Sequence, residues 1–175
     1  MIRFRFAAQK ALSAIHWMVT QKHDLDLHAA LKSCYFGDKS HLNAHRRPIF
    51  GATYRAMRFG PVPLEIYEMI KGEALWKAEL GTEHFPWELS GYHLRCVANT
   101  EPDLGVLSET DIEHLERGFE ISCSMDFSER TAATHGPDWQ RANLGLMQYE
   151  DMIEDGPQKE AIVSYLEANA KYMRL

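Results

Sequence analysis

The sequence predicts a mainly α fold, of the α+β kind, with a small two- or three-stranded β element. Three observations carry this reading. Apolar residues recur at helical spacing before Leu42, after Pro63, after Ser108 and after Pro157. Only two short stretches, Thr53 to Phe59 and Tyr92 to Ala98, have strand character. Chain-turning pairs, Arg47-Pro48, Gly60-Pro61 and Gly136-Pro137, separate the periodic segments.

Taken in order, Ala7, Ala8, Ala11, Leu12, Ile15, Met18 and Val19 give a first helix from about Arg5 to Gln21. Asp24 or Asp26 then caps a second, whose stripe is Leu27, Ala30, Leu31, Cys34, Tyr35 and Leu42; Gly37 is expected to bend or break it. Thr53, Tyr54, Met57 and Phe59 suit a short strand, with a helical turn as the alternative, and Gly60-Pro61 is expected to end it. Pro63 suits the first position of a helix carrying Leu64, Ile66, Tyr67 and Ile70, with Gly72 as its stop.

Residues 72–91 read as the least regular stretch, in which Trp76, Phe85, Pro86 and Trp87 either cover the core or form a binding surface. A strand from Tyr92 and a turn from Pro102 to Gly105 follow. Ser108 and Asp111 form a capping box for a helix with Ile112, Leu115 and Phe119 inward. Ser128 caps a short helix to Thr134, broken by Gly136-Pro137, and a final helix from about Pro157 to Met173 packs on the rest.

A length of 175 residues without repeats, low-complexity tracts or a boundary suggests a single domain spanning 1–175. The net charge of −6 makes DNA an unexpected partner. Arg46, Arg47, Arg55 and Arg58 read as a solvated or salt-bridged face. Three widely spaced cysteines, Cys34, Cys96 and Cys123, form neither a disulfide framework nor a paired zinc motif. Arg3 and Arg5 interrupt the apolar N-terminus and no long apolar run follows, so a cytoplasmic location and no membrane contact are expected.

Several of these residues form a larger pattern. Cys34-Tyr35-Phe36-Gly37-Asp38 precedes His41-Leu42, then Arg47-Pro48-Ile49, Gly51, Tyr54, Ala56-Met57 and Phe59-Gly60-Pro61-Val62-Pro63. Leu107-Ser108-Glu109-Thr110-Asp111, Ser128, Thr134-His135 and Trp139 follow. This order resembles the SocA-like antitoxin family, the Panacea domain, also described as phage-associated proteins. The likeness runs from about 7 to 142, with a variable gap at 72–91. Gly37, Phe50 before Gly51, and Thr131-Ala132 depart from the pattern.

The resemblance implies a helical domain with a small β element, acting as the antitoxin of a toxin–antitoxin pair. Its partners would be a cognate toxin protein and, where the toxin is handed on for destruction, a protease. Asp38, His41, Pro48, Gly51, Tyr54, Gly60, Pro61 and Pro63 are assigned to building the fold, Asp38 and His41 as a hydrogen-bonded pair closing a helix end. Arg55, Arg58, Trp76, Phe85 and Trp87 are the candidate contacts with the partner.

Other chemistry is less well supported. His41 and His45 have metal-binding spacing, with Asp38 nearby, but Leu42 stands where a metalloprotease needs Glu. Cys34 lies on an apolar stripe, which disfavours a Cys34–His41 nucleophile. His135 suits a helix end. Neither glycine-rich phosphate motif is present. No catalytic, cofactor or metal residue is therefore assigned, and the protein is expected not to be an enzyme. The alternatives are a metal-dependent enzyme and a winged-helix-like DNA-binding regulator contacting phosphates through Arg47, Arg55 and Arg58.

Overall fold

A computed structural model of the protein describes residues 1–175. Helix α1 (Ala8–Gln21) leads through β1 (Leu25–Asp26) into α2 (Leu27–His45), the central element. Asp26 caps α2 by accepting from the Ala29 amide at 2.9 Å. Most of its length is buried on several sides, including polar Lys32, Ser33, Asp38 and His41. A helix so enclosed must find partners for these groups inside the protein.

Helix α5 (Glu109–Ser124) lies along α2, held at its start by the expected box between Ser108 and Asp111. Glycines set how closely the two helices approach. A Cβ on Gly118 would lie 2.7 Å from the Ser33 carbonyl oxygen and 2.8 Å from the Gly37 amide nitrogen. The expected bend at Gly37 is not found: α2 continues through it, because its missing side chain serves interhelical packing.

Beyond α2, β2 (Tyr54–Met57) and β3 (Gly60–Pro63) form an antiparallel hairpin around Arg58 and Phe59. Gly60, at φ +102°, supplies the left-handed residue, so neither turn side chain is strained. The expectation that Gly60-Pro61 ends the β element is thus corrected: it begins the return strand.

Prolines explain the register. Pro61 and Pro63 lack amide protons, and they stand opposite Ala56 and Tyr54. Those two residues consequently bond outward, Ala56 N to Gly145 O at 2.9 Å and Met147 N to Tyr54 O at 2.9 Å. On the other edge, Lys32 Nζ satisfies the Pro61 carbonyl at 2.7 Å. Pro63 is the residue before α3 (Leu64–Ile70) rather than its first residue.

Residues 72–91 are more regular than the sequence suggests, holding α4 (Ala74–Leu80) and β4 (Trp87–Ser90). Strand β4 pairs with β5 (His93–Cys96), which pairs with β1, giving a second antiparallel sheet in the order β1-β5-β4. Asp126 caps α6 (Phe127–Ala133), two residues before the expected Ser128. Gly136-Pro137 starts α7 (Pro137–Ala142) as well as ending α6, since Pro suits a first turn. Helices α8 (Tyr149–Met152) and α9 (Lys159–Asn169) complete the chain. One cluster of 34 buried apolar residues reaches from Ile2 to Ala170. No helix is long and apolar enough to cross a membrane.

Candidate functional site

Two neighbouring regions around α2 have opposite character. The first is a buried polar lock made by the motif residues. Asp38 Oδ1 accepts from the amides of Ile49 and Phe50 at 2.8 and 2.9 Å, and Oδ2 from the Tyr54 hydroxyl at 3.1 Å. One carboxylate thus fixes the loop after α2 and the first strand of the hairpin. Burial nevertheless pushes its pKa up to about 7, against the pull of these three donors.

His41 belongs to the same lock without bonding to Asp38, which corrects the expected pair. Its Nδ1 lies 2.7 Å from the Arg47 carbonyl, which can only accept, so Nδ1 carries the proton. Its Nε2 accepts from the Thr110 hydroxyl at 2.9 Å. Burial lowers His41 to about 4, against the pull of the Arg47 carbonyl and with the Arg47 charge adding to the lowering, so the ring is neutral although Asp111 Oδ1 is 3.3 Å away. With both nitrogens engaged, His41 has no lone pair to offer a metal alongside His45.

Asp111 closes the lock. It receives Lys10 and, at 2.9 Å, Arg47. Burial opposes its ionisation, but Lys10, the Ser108 amide and Arg47 together hold its carboxyl below the usual range. Arg47 is thereby tied to the start of α5, although it stays partly exposed. Cys34 is wholly buried and its thiol pushed up by burial, as an inert core residue should be.

The second region is an open groove of about 620 Å³. The first half of α2 supplies Leu27, His28, Leu31 and Lys32; the hairpin supplies Met57 through Gly60; Tyr92 and Phe127 close the sides. Phe59 and Phe127 meet edge to face across it at 5.1 Å, and His28 lies 4.3 Å from Phe127. These are apolar groups left in water: Phe59 is 47% exposed, Phe127 46% and Tyr92 76%. Trp139 anchors the hairpin from behind through its bond to the Met57 carbonyl at 2.9 Å.

Of the residues proposed from sequence to contact a partner, only Arg58 lines this groove, stacked at 5.2 Å over Phe59. Arg55 is exposed on the same hairpin. Phe85 and Trp87 are corrected from contact residues to core: they stack on each other at 4.7 Å and are 6% and 4% exposed. Trp76 packs edge-on to Phe6 and bonds Glu68 at 2.9 Å. The groove residues missed by sequence reasoning are Lys32, Phe59, Tyr92 and Phe127. Lys32 left only a slight signal, a cation between the apolar-stripe residues Leu31 and Cys34.

A family model described as antitoxin SocA-like, Panacea domain, matches residues 31–140. The chain belongs to this family. The matched span begins within α2 and ends in α7, enclosing all of the lock except Lys10 and most of the groove, while α1 and α9 lie outside it. No curated protein and no solved structure matches the chain. As a Panacea-domain protein it is a member of a family named for antitoxins.

Proposed function

We propose that this protein neutralises a toxin by binding it directly, with the groove beside α2 as the contact surface. The observation that supports this reading is the aromatic lining left in water. A monomeric surface rarely keeps Phe59, Phe127, Tyr92 and Met57 together in solvent without a partner to cover them. Apolar rings rimmed by an arginine are also the composition in which binding energy concentrates. Effective neutralisation requires nanomolar affinity, on the order of −12 kcal/mol, which an open concave site with several anchors is suited to supply.

The antitoxin acts in this reading by masking and performs no reaction on the toxin. Co-expression with the product of the adjacent reading frame tests it. That product should arrest growth alone, lose its effect in the presence of this protein, and co-purify with it. Unchanged toxin abundance during rescue distinguishes masking from delivery to a protease. If no neighbouring product is toxic, or rescue occurs without a complex, direct neutralisation is wrong.

A further inference from the structure

The groove is apolar along its walls but cationic at its floor and lip. Lys32 is 1% exposed, and its ammonium has a single acceptor, the Pro61 carbonyl. An ammonium carries three donors, so this site leaves two of them without a protein acceptor. The one acid lining the groove, Asp26, directs its Oδ1 to the Ala29 amide and to Arg130 at 3.4 Å, not to Lys32. Arg58 at the lip likewise has no carboxylate partner and rests on Phe59.

His28 is neutral and supplies no counter-charge: its Nε2 donates to the Phe59 carbonyl at 2.9 Å and its Nδ1 accepts from Arg130 at 3.0 Å. Burial, reinforced by Arg130, pulls Lys32 down to about 7, as expected for a cation short of counter-charge. The imbalance is local, because the protein as a whole carries −6. Elsewhere its buried cations are matched: Lys10 meets Asp111, and Arg130 meets Asp26 and the Ser122 and Met125 carbonyls.

We propose that the groove recognises an apolar polypeptide segment of the toxin bearing one Asp or Glu side chain, whose carboxylate sits between Lys32 and Arg58 while its apolar neighbours cover Phe59 and Phe127. This rests on the antitoxin reading for the source of the segment, but its chemistry follows from the groove alone. The apolar walls supply affinity, and the paired cations set register and exclude basic or neutral segments. A buried cation awaiting a carboxylate discriminates strongly, since the wrong partner leaves it desolvated and unpaired.

Selection of a random-peptide display library on the full-length protein tests the specificity without any toxin. Enriched peptides should carry an Asp or Glu among apolar residues. In a synthesised binder, changing that acid to its amide should weaken binding about tenfold or more, whereas amidating the C-terminus should not. Lys32→Met and Arg58→Glu should each cost a similar factor. Arg58→Glu, on an exposed turn that leaves the fold intact, should regain binding when the peptide acid becomes Arg.

Failure to enrich any peptide would overturn the proposal. So would binders that ignore these substitutions, or binders that depend on the C-terminal carboxylate. Toxin rescue is measured separately, so either result leaves the antitoxin reading standing or falling on its own experiment.

Discussion

The polar lock and the groove lie on opposite stretches of one helix, yet they solve the problem of buried charge in opposite ways. At the C-terminal half of α2, Asp38, His41 and Asp111 find their partners within the chain: two loop amides, a tyrosine hydroxyl, a carbonyl, a threonine, a lysine and an arginine. At the N-terminal half, Lys32 has one carbonyl and Arg58 has a ring face. A satisfied network fixes a single conformation; an incomplete one reserves its energy for a partner. The difference separates what holds this protein together from what it presents outward.

The strongest way to break that comparison is at Asp38. Asp38→Ala leaves the Ile49 and Phe50 amides without an acceptor in the core, with an expected loss of about 4 kcal/mol in denaturant unfolding. A loss of less than about 1 kcal/mol would mean that the lock is not structural.

His41 gives the next largest effect, and its sign is set by its direction of shift. Its folded pKa, about 4, lies below the ordinary 6.5, so the unfolded chain takes up the proton first as pH falls. The stability His41 contributes is therefore complete above about 6.5 and is lost towards pH 4. Asp38 acts oppositely: raised to about 7, it favours the fold at low pH and loses that contribution as pH rises from its ordinary 3.8. Asp38 is present in both proteins when wild type is compared with His41→Gln, so its contribution largely cancels. Their difference in urea stability should shrink by about 3 kcal/mol between pH 6.5 and 4. A constant difference would show that His41 is not held neutral.

Gly118→Ala tests the α2–α5 approach on which both regions depend. The added methyl meets the backbone of Ser33 and Gly37, and about 2 kcal/mol should be lost as the helices move apart. Because that shift propagates along α2, peptide binding in the groove should weaken as well. A variant with unchanged stability and binding would argue for a looser helix pair.

Much of the lock was legible in the sequence, because it is built from residues whose roles are local. Ser108 and Asp111 cap a helix by a rule of spacing, and Asp38, Tyr54 and the prolines stand in a familiar order. Their partners were not legible: Asp38 bonds residues 11 and 12 positions onward, so the expected pairing with neighbouring His41 was wrong. The hairpin was half seen, because prolines read as terminators also serve an edge strand whose amides need no partner.

The groove was largely hidden. Phe127 follows a cap two residues earlier than the sequence suggested, and nothing local distinguishes its exposed ring from core phenylalanine. Trp87 and Phe85 drew attention by size, but only the packing of β4 onto α3 reveals that they are interior, with Trp87 Nε1 bonded to the Ile70 carbonyl at 3.2 Å.

The separation of scaffold from contact surface is tested most directly by the double variant Phe59→Asp with Phe127→Asp. Both rings are half exposed, so unfolding stability should change by no more than about 1 kcal/mol. Growth rescue against the neighbouring toxin should nevertheless be abolished. A folded double variant that still rescues fully would place the contact elsewhere and contradict the role assigned to the groove.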